Sequence, residues 1–416
     1  MRMPLHPAAA QHAPPPVTPP VTPLFAAFAL SLLLGLQPVS TDVYLPALPM
    51  LTAALGAPMS SAQLTMSALI LAFGLAQMVW GPVSDRIGRR PVLLAGLALH
   101  AVASAGCALA GSIEALVLWR VLQGAALAAA VVCARAIVRD LYEPAEGAQV
   151  MALALSGLGV IALIGPLAGG FSAWAFGWRG PLTLIFIAWR LPETLARPQP
   201  QATNLASLLK TWAAIAGNRV FRAWALLVAC TYGGLFTLLA ASSFIYIDVL
   251  GLSPAAYGGA MALGSLSYLA GTLLCRRWIR AHGVAGTVAR GGGFTLAAGL
   301  LMAGAAAAGV QAVWAVLLPQ CLYTFGHGIH QPCGQAGVVA PFPQAAGAAS
   351  ALAGLVLALV AFGIGLWLGV ALDGTVRPLA YGLGFWAALT CVFAWTLVPR
   401  ADRGAQTTAG PQGGHR

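Results

Sequence analysis

The sequence predicts an all-α polytopic membrane protein, with twelve transmembrane helices in two pseudo-symmetric six-helix bundles. Of its 416 residues, 59% are hydrophobic and only 7% are charged, whereas a soluble globular chain carries about 25% charged residues. Apolar runs long enough to span a membrane recur along the chain, and its basic residues cluster in the short segments between them. The net charge of +11 is therefore a topology signal, and no nucleic-acid partner is expected.

Residues 1–23 are rich in proline and lack the charged start, apolar core and small-residue cleavage site of a signal peptide. They read as a disordered cytoplasmic tail. Apolar runs then follow at 24–45, 62–82, 91–111, 115–138, 149–173 and 181–190, and again at 221–247, 255–275, 284–308, 312–333, 345–372 and 377–398. A span needs roughly 20 residues at about 1.5 Å each to cross a core of ~30 Å. The expected organisation is a first bundle at 24–190, a cytoplasmic linker at 191–220, a second bundle at 221–398 and a cytoplasmic tail at 399–416. The sixth run is short: Pro181–Trp189 would supply only about 14 Å of helix. Within the linker, Leu205, Leu208, Leu209, Trp212 and Ile215 repeat at helical spacing, which predicts a short amphipathic helix on the membrane surface.

Basic residues fix the orientation. Arg86, Arg89 and Arg90, then Arg135 and Arg139, the 190–222 group, Arg276, Arg277, Arg280 and Arg290, and finally Arg400 and Arg403 all fall on one side. The opposite loops hold little beyond Arg179 and Arg377. Both termini are expected in the cytoplasm. The seven cysteines lie scattered through apolar runs without CxxC spacing, so they read as small buried residues, neither disulfides nor metal ligands.

Between the second and third runs stands GPVSDRIGRRP, residues 81–91. It reads as a short loop in which Gly81, Pro82 and Gly88 break the helix and hold Asp85 near Arg86, Arg89 and Arg90.

An ionisable group at mid-bilayer costs about 2.5–3.5 kcal/mol on insertion scales, so each one is a functional candidate. Asp42 lies in QPVSTDVYLPALPML, where Pro38 and Pro46 are expected to bend the first helix toward a cavity. It is either a proton or substrate site or an acid at a helix end facing the periplasm. Arg120, in LWRVLQGAALAAA, cannot shed its charge and needs a carboxylate or several carbonyls. Asp42 is the nearest candidate by depth, and Gln123 follows one turn later. Arg120 is either functional or a structural anchor. Glu114 reads as a solvated first-turn acid, and Arg135, Arg139 and Asp140 as interfacial charges, with Asp140 pairing locally. His327 and His330, three apart in YTFGHGIHQPCGQAG, share a helical face. They serve either proton transfer or hydrogen bonding to a neighbour; with no third ligand in sight, no metal site is expected. Asp248, Asp373 and Arg377 read as solvated loop charges. In GPLAGG at 165–170, Gly165 and Gly169 are four apart and suit tight helix contact.

Taken together, these motifs carry a resemblance. GPVSDRIGRRP resembles the signature loop between helices two and three of the major facilitator superfamily. RVLQG at 120–124 resembles that superfamily's fourth-helix arginine motif, and GPLAGG its fifth-helix drug/proton antiporter motif. TDVYLPALP at 41–49 and the glycine- and histidine-rich tenth segment are similar to the bicyclomycin-resistance (Bcr/CflA) type. Ile161 departs from the fifth-helix pattern, where a further glycine is usual, and the short sixth run departs as well.

The resemblance implies the major facilitator fold and proton-coupled multidrug efflux of small amphipathic compounds across a bacterial inner membrane. Asp42 and Arg120 would serve coupling. Gly81, Asp85, Arg86, Gly88, Arg89 and Arg90 would form a cytoplasmic gate, and Gly165, Pro166, Gly169 and Gly170 the antiporter motif. Gln123, His327 and His330 join the proton and substrate candidates. The expected partners are drugs, protons and the lipid bilayer, for a monomer that draws on the proton gradient without a cofactor. Tyr44, Phe73, Trp80, Phe236 and Tyr323 are candidate pocket walls. The alternatives are a metabolite exporter or importer of the same superfamily and an intramembrane enzyme. For the enzyme the chain offers neither HExxH nor paired intramembrane aspartates.

Overall fold

This protein buries several polar side chains within its apolar core and presents large apolar ones on its surface. Arg120, Gln63, Thr65 and Gln123 are fully buried, while Val370 and Leu109 are 86% and 84% exposed. Lipid is the solvent that makes such a surface stable, and helices satisfy their own backbone within it. The computed structural model describes residues 23–142, scattered positions from Val150 to Phe171, and 205–408.

Among the described residues the elements are α1 (Pro23–Asp42), a 3-10 turn (Leu45–Ala47), α2 (Leu48–Leu55), α3 (Met59–Ile87), α4 (Arg89–Leu109), α5 (Ile113–Leu141), α6 (Leu205–Gly217), α7 (Arg219–Ser243) with a π-helical end (Phe244–Val249), α8 (Pro254–Ala307), α9 (Val313–Val339), α10 (Ala346–Ala371) and α11 (Arg377–Thr408). Eight helical stretches among the described residues are long and apolar enough to cross a membrane. One of them, α8, comprises two crossings. It reverses at Gly283, whose φ of 67° suits glycine, and this brings the Trp278 and Phe294 rings within 6.2 Å. In one straight helix those residues would stand about 24 Å apart. The sixth run at 181–190 and the tails at 1–22 and 409–416 lie outside the described residues.

Two expectations change. Residues 81–91 are not a loop: α3 carries Pro82 within it and continues to Ile87, and α4 starts at Arg89. The reversal is left to Gly88 alone, at φ 111°. Proline removes only its own donor, and one lost bond near the end of a 29-residue helix does not end it. Likewise Pro38 sits inside α1, which ends at Asp42. The bend comes afterwards, where Pro46 stands in the 3-10 turn. Finally, α6 forms where the pattern of leucines placed it, and it is mostly exposed, with one side chain turned into protein. Ile215 is buried in a core with Phe221, Ala349 and Ala353.

Small residues set the helix spacing. Along the α3–α10 seam, Gly74 faces Ala358, Gly354 faces Gln77, Gly365 faces Ser67 and Gly369 faces Ser60, each too close for an added Cβ to fit without displacement. Gly271 and Gly328 press α8 and α9 onto each other's carbonyls in the same way. All seven cysteines are free; six are buried, and the Cys275 and Cys333 sulfurs lie 3.4 Å apart.

The two halves share one core at the end remote from the termini. Tyr44, Leu48 and Met66 pack there with Phe236, Tyr246, Ile364 and Leu379. At the end carrying the start of α1 and the close of α11 the cores are separate. Leu30, Leu93 and Val131 belong to one, and Phe221, Ile329 and Val398 to the other. The halves are thus sealed at the remote end and joined less tightly at the arginine-rich end, where the α3–α10 seam and an Arg135–Ser350 hydrogen bond of 2.8 Å connect them. Arg135, expected as an interfacial charge, is exposed and uses that hydrogen bond to reach α10 of the other half.

Candidate functional site

Where α1 ends, its last carbonyls lose their helical partners, and one of them anchors the site. Arg120 enters from α5, a helix begun by the Ser112 side chain, which accepts from the Ala115 amide. Gly124 lets this helix approach α3 so closely that an added Cβ would collide with the Leu69 carbonyl oxygen. Arg120 is thereby driven into the core, fully buried. Its Nη1 donates to the Ser40 carbonyl (3.0 Å) and to Gln123 Oε1 (2.7 Å), and its Nε donates to the Thr65 carbonyl (3.3 Å). Its Cζ lies 4.2 Å from the centre of the Tyr44 ring, a cation–π contact in a dry environment. The Tyr44 hydroxyl shares a hydrogen bond of 2.9 Å with Thr65 Oγ1, and Gln123 Nε2 donates to Ser104 Oγ at 2.9 Å.

No carboxylate pairs with Arg120 among the described residues, which corrects the expectation that Asp42 would. Carbonyls, an amide oxygen and a π face carry the charge instead. Asp42 accepts from Thr41 Oγ1 at 2.8 Å and is half-buried. It closes α1 two residues before Tyr44, which packs in one core with Tyr246 and Tyr257 of the second half. It therefore stands near the seam where the two halves share a core. Of the antiporter motif, Gly165 is described, and a Cβ there would lie 3.9 Å from Asp42 Cβ. Pro166, Gly169 and Gly170 lie outside the described residues. Ile161 packs against Gly35 of α1, where there is no room for a Cβ.

At the arginine-rich end, Arg89 is the organiser. As the first residue of α4 it is buried. It pairs with Asp85 of α3 at 2.5 Å and with Asp140 of α5 at 2.9 Å, and it donates to Ser84 Oγ at 2.6 Å. Asp140, expected to pair locally, thus joins a residue 51 positions away. Gly88 permits the turn, Gly81 lies within α3, and Arg86 and Arg90 are exposed.

His327 and His330 occupy the other half. His327 Nδ1 and Thr231 Oγ1 are 3.0 Å apart, and its ring centre is 5.7 Å from that of Tyr268. His330 Nε2 lies 3.2 Å from the Val288 carbonyl; since a carbonyl only accepts, that nitrogen carries the proton. Their described partners all belong to α7 and α8, so the structure does not bring them to Arg120. No cluster of three or more His, Cys, Asp or Glu side chains suited to a metal occurs among the described residues. Glu114 and Asp248 are exposed, and so is Asp373, whose carboxyl is held below the usual range by the Thr375 hydroxyl and amide. Of the expected pocket walls, Tyr44, Phe236 and Tyr323 are buried in packing, while Phe73 and Trp80 are half-buried. Sequence reasoning missed Thr65, Ser104 and Tyr257. It also missed Gln63, whose amide crosses between halves to the Ala240 carbonyl at 2.7 Å. Its one signal was a glutamine at the edge of an apolar run.

Residues 30–366 match the family model described as Major Facilitator Superfamily. The chain belongs to this superfamily. That places it among transporters of small molecules, outside the enzymes, as a multi-pass membrane protein. It is 30% identical over 342 residues to Multidrug resistance protein D of Escherichia coli (strain K12), covering 78% of this chain and 83% of that one. It is 32% identical over 266 residues to an MFS-type transporter of Bacillus subtilis (strain 168), covering 61% of this chain and 66% of that protein, just under two thirds. Against the Chloramphenicol resistance protein of Pseudomonas aeruginosa it is 39% identical over 169 residues, 38% of this chain and 40% of the other. A solved D-xylose-proton symporter superposes with a TM-score of 0.71 at 16% identity, covering 91% of this chain and 99% of the symporter; that likeness concerns fold alone.

Proposed function

We propose that this protein exports small amphipathic drugs across a bacterial inner membrane in exchange for protons, as a monomer with both termini in the cytoplasm. The observation that carries this reading is Asp42 itself, half-buried near the seam of the two halves and not paired with Arg120. An acid there meets water from whichever side a cleft between the halves opens. It binds a proton when facing the acidic exterior, drug leaves, and the proton is released when the cleft faces inward. Two relatives named for multidrug and chloramphenicol resistance support drugs as the cargo. Arg120 also speaks against a dedicated anion carrier, because its charge is sealed behind Tyr44 and fully buried.

The test is drug or dye accumulation in a pump-deficient bacterial host, with and without a proton uncoupler. Wild type should lower accumulation, and the uncoupler should restore it. Asp42→Asn should reach the membrane folded and lose uncoupler-sensitive efflux. Unchanged efflux in that variant removes Asp42 from the mechanism.

A further inference from the structure

A cavity of about 1070 Å³ opens at the arginine-rich end of the second half, far from the Asp42 site and unused by any step above. It is formed by the start of α7, the segment just after α9 and the close of α11. Three guanidinium groups ring it, Arg219, Arg222 and Arg400, all exposed. None of its lining residues is acidic, and among the described residues none of the three arginines is ion-paired with a carboxylate. The rest of its lining is largely apolar, with Ala223, Leu226 and Leu397. At the start of α7 the Asn218 side chain already accepts from the Val220 and Phe221 amides, and its carbonyl from that of Arg222. The recognition element is therefore the arginine triad beside an aliphatic wall.

We propose that this cavity is a binding site for an anionic membrane phospholipid, with its phosphate between Arg219, Arg222 and Arg400 and an acyl chain along Leu226 and Leu397. The chemistry selects an amphiphile. Three fixed cations need a multiply hydrogen-bonding anion, which guanidinium forks grip well. The wall beside them would be wetted by a soluble phosphate but covered by a hydrocarbon chain. The site lies at the level where both kinds of group are found together, because helix ends with clustered arginines sit at the headgroup region. Its volume exceeds the usual drug-sized pocket of about 300–1,000 Å³, which leaves room for a headgroup and the upper part of a chain.

Purified full-length protein in detergent is titrated with dioleoyl phosphatidylglycerol or dioleoyl phosphatidylcholine, and bound lipid is counted by native mass spectrometry. Wild type should retain the glycerol lipid at least about tenfold more tightly than the choline lipid. Each arginine near an anionic headgroup is worth about fivefold, so the Arg219→Gln/Arg222→Gln/Arg400→Gln variant should bind phosphatidylglycerol about 100-fold more weakly. Arg276→Gln/Arg280→Gln, which removes exposed charge outside the cavity, should bind as wild type. Leu226→Trp, which leaves all three charges and fills the wall, should also lose the lipid. Equal loss in the control pair, or no preference in wild type, overturns the proposal. So does full displacement by millimolar inorganic phosphate, which would make the site one for a soluble anion. Lipid is counted without any transport, so failure of the efflux reading leaves this result standing.

Discussion

Arg89 ties together three helix ends, and removing its charge tests how the arginine-rich end is held. In Arg89→Gln the carboxylates of Asp85 and Asp140 lose the cation between them. Breaking a fully buried pair costs about 3–5 kcal/mol, because the stranded charge remains in a poor solvent. Here the Asp85 and Asp140 side chains are 33% and 17% exposed, and water reaching them lowers the cost to about 2–3 kcal/mol. The penalty comes from two acids that have lost their shared arginine, so the triple change Arg89→Gln/Asp85→Asn/Asp140→Asn should recover more than half of it. Thermal unfolding read by a thiol-reactive dye suits this chain, with six of its seven cysteines buried. One of them, Cys133, donates from its sulfur to the Arg89 carbonyl and reports locally. The expected order of midpoints is wild type, then the triple variant, then Arg89→Gln, with Cys133 reacting first in the last. An unshifted midpoint in Arg89→Gln, or a triple variant less stable than the single one, would refute the argument that this arginine neutralises both acids.

Two further outcomes follow from the packing around Arg120. Arg120→Lys should lose drug efflux and melt earlier by about 2 kcal/mol, because one ammonium cannot reach Ser40, Thr65 and Gln123 together; full activity with an unchanged midpoint would show that charge alone suffices. Gly124→Leu should fail to accumulate as folded protein, since its Cβ meets the Leu69 carbonyl, whereas Gly293→Ala, with nothing within 4 Å of the new methyl, should behave as wild type in size-exclusion profile and melting.

What the sequence made legible is what lipid enforces locally. Each described apolar run became helix because its backbone has no other way to be satisfied in hydrocarbon, and α6 appeared where leucine spacing put it. The reversal at Gly283 was legible too, as a basic gap between two runs. Partner choice was not. Arg120 reaches carbonyls 55 and 80 positions away, and nothing at those positions marks them, because every residue has a carbonyl. Depth along the helix suggested Asp42, but depth does not specify the direction in which a side chain points. The 81–91 segment misled for a related reason. Glycine and proline there are permissive of a break, and α3 uses only the last of the three.

Keeping Asp42 and Arg120 apart has a consequence for how their loss should differ. Were they an ion pair, neutralising either would strand the other, and both variants would lose the same stability. With Arg120 held by carbonyls and Tyr44, Asp42→Asn leaves no buried charge uncompensated, and the Thr41 hydroxyl still finds an acceptor in the new amide. That variant should melt as wild type and still exchange drug across proteoliposomes with no gradient, having lost only its link to protons. Arg120→Lys disturbs the Ser40 and Thr65 anchors from which the end of α1 hangs, so it should lose gradient-free exchange as well. An Asp42→Asn protein that unfolds early would show that the acid and the guanidinium act as one unit after all, and an Arg120→Lys protein that exchanges drug normally would show that the Ser40 and Thr65 anchors are dispensable.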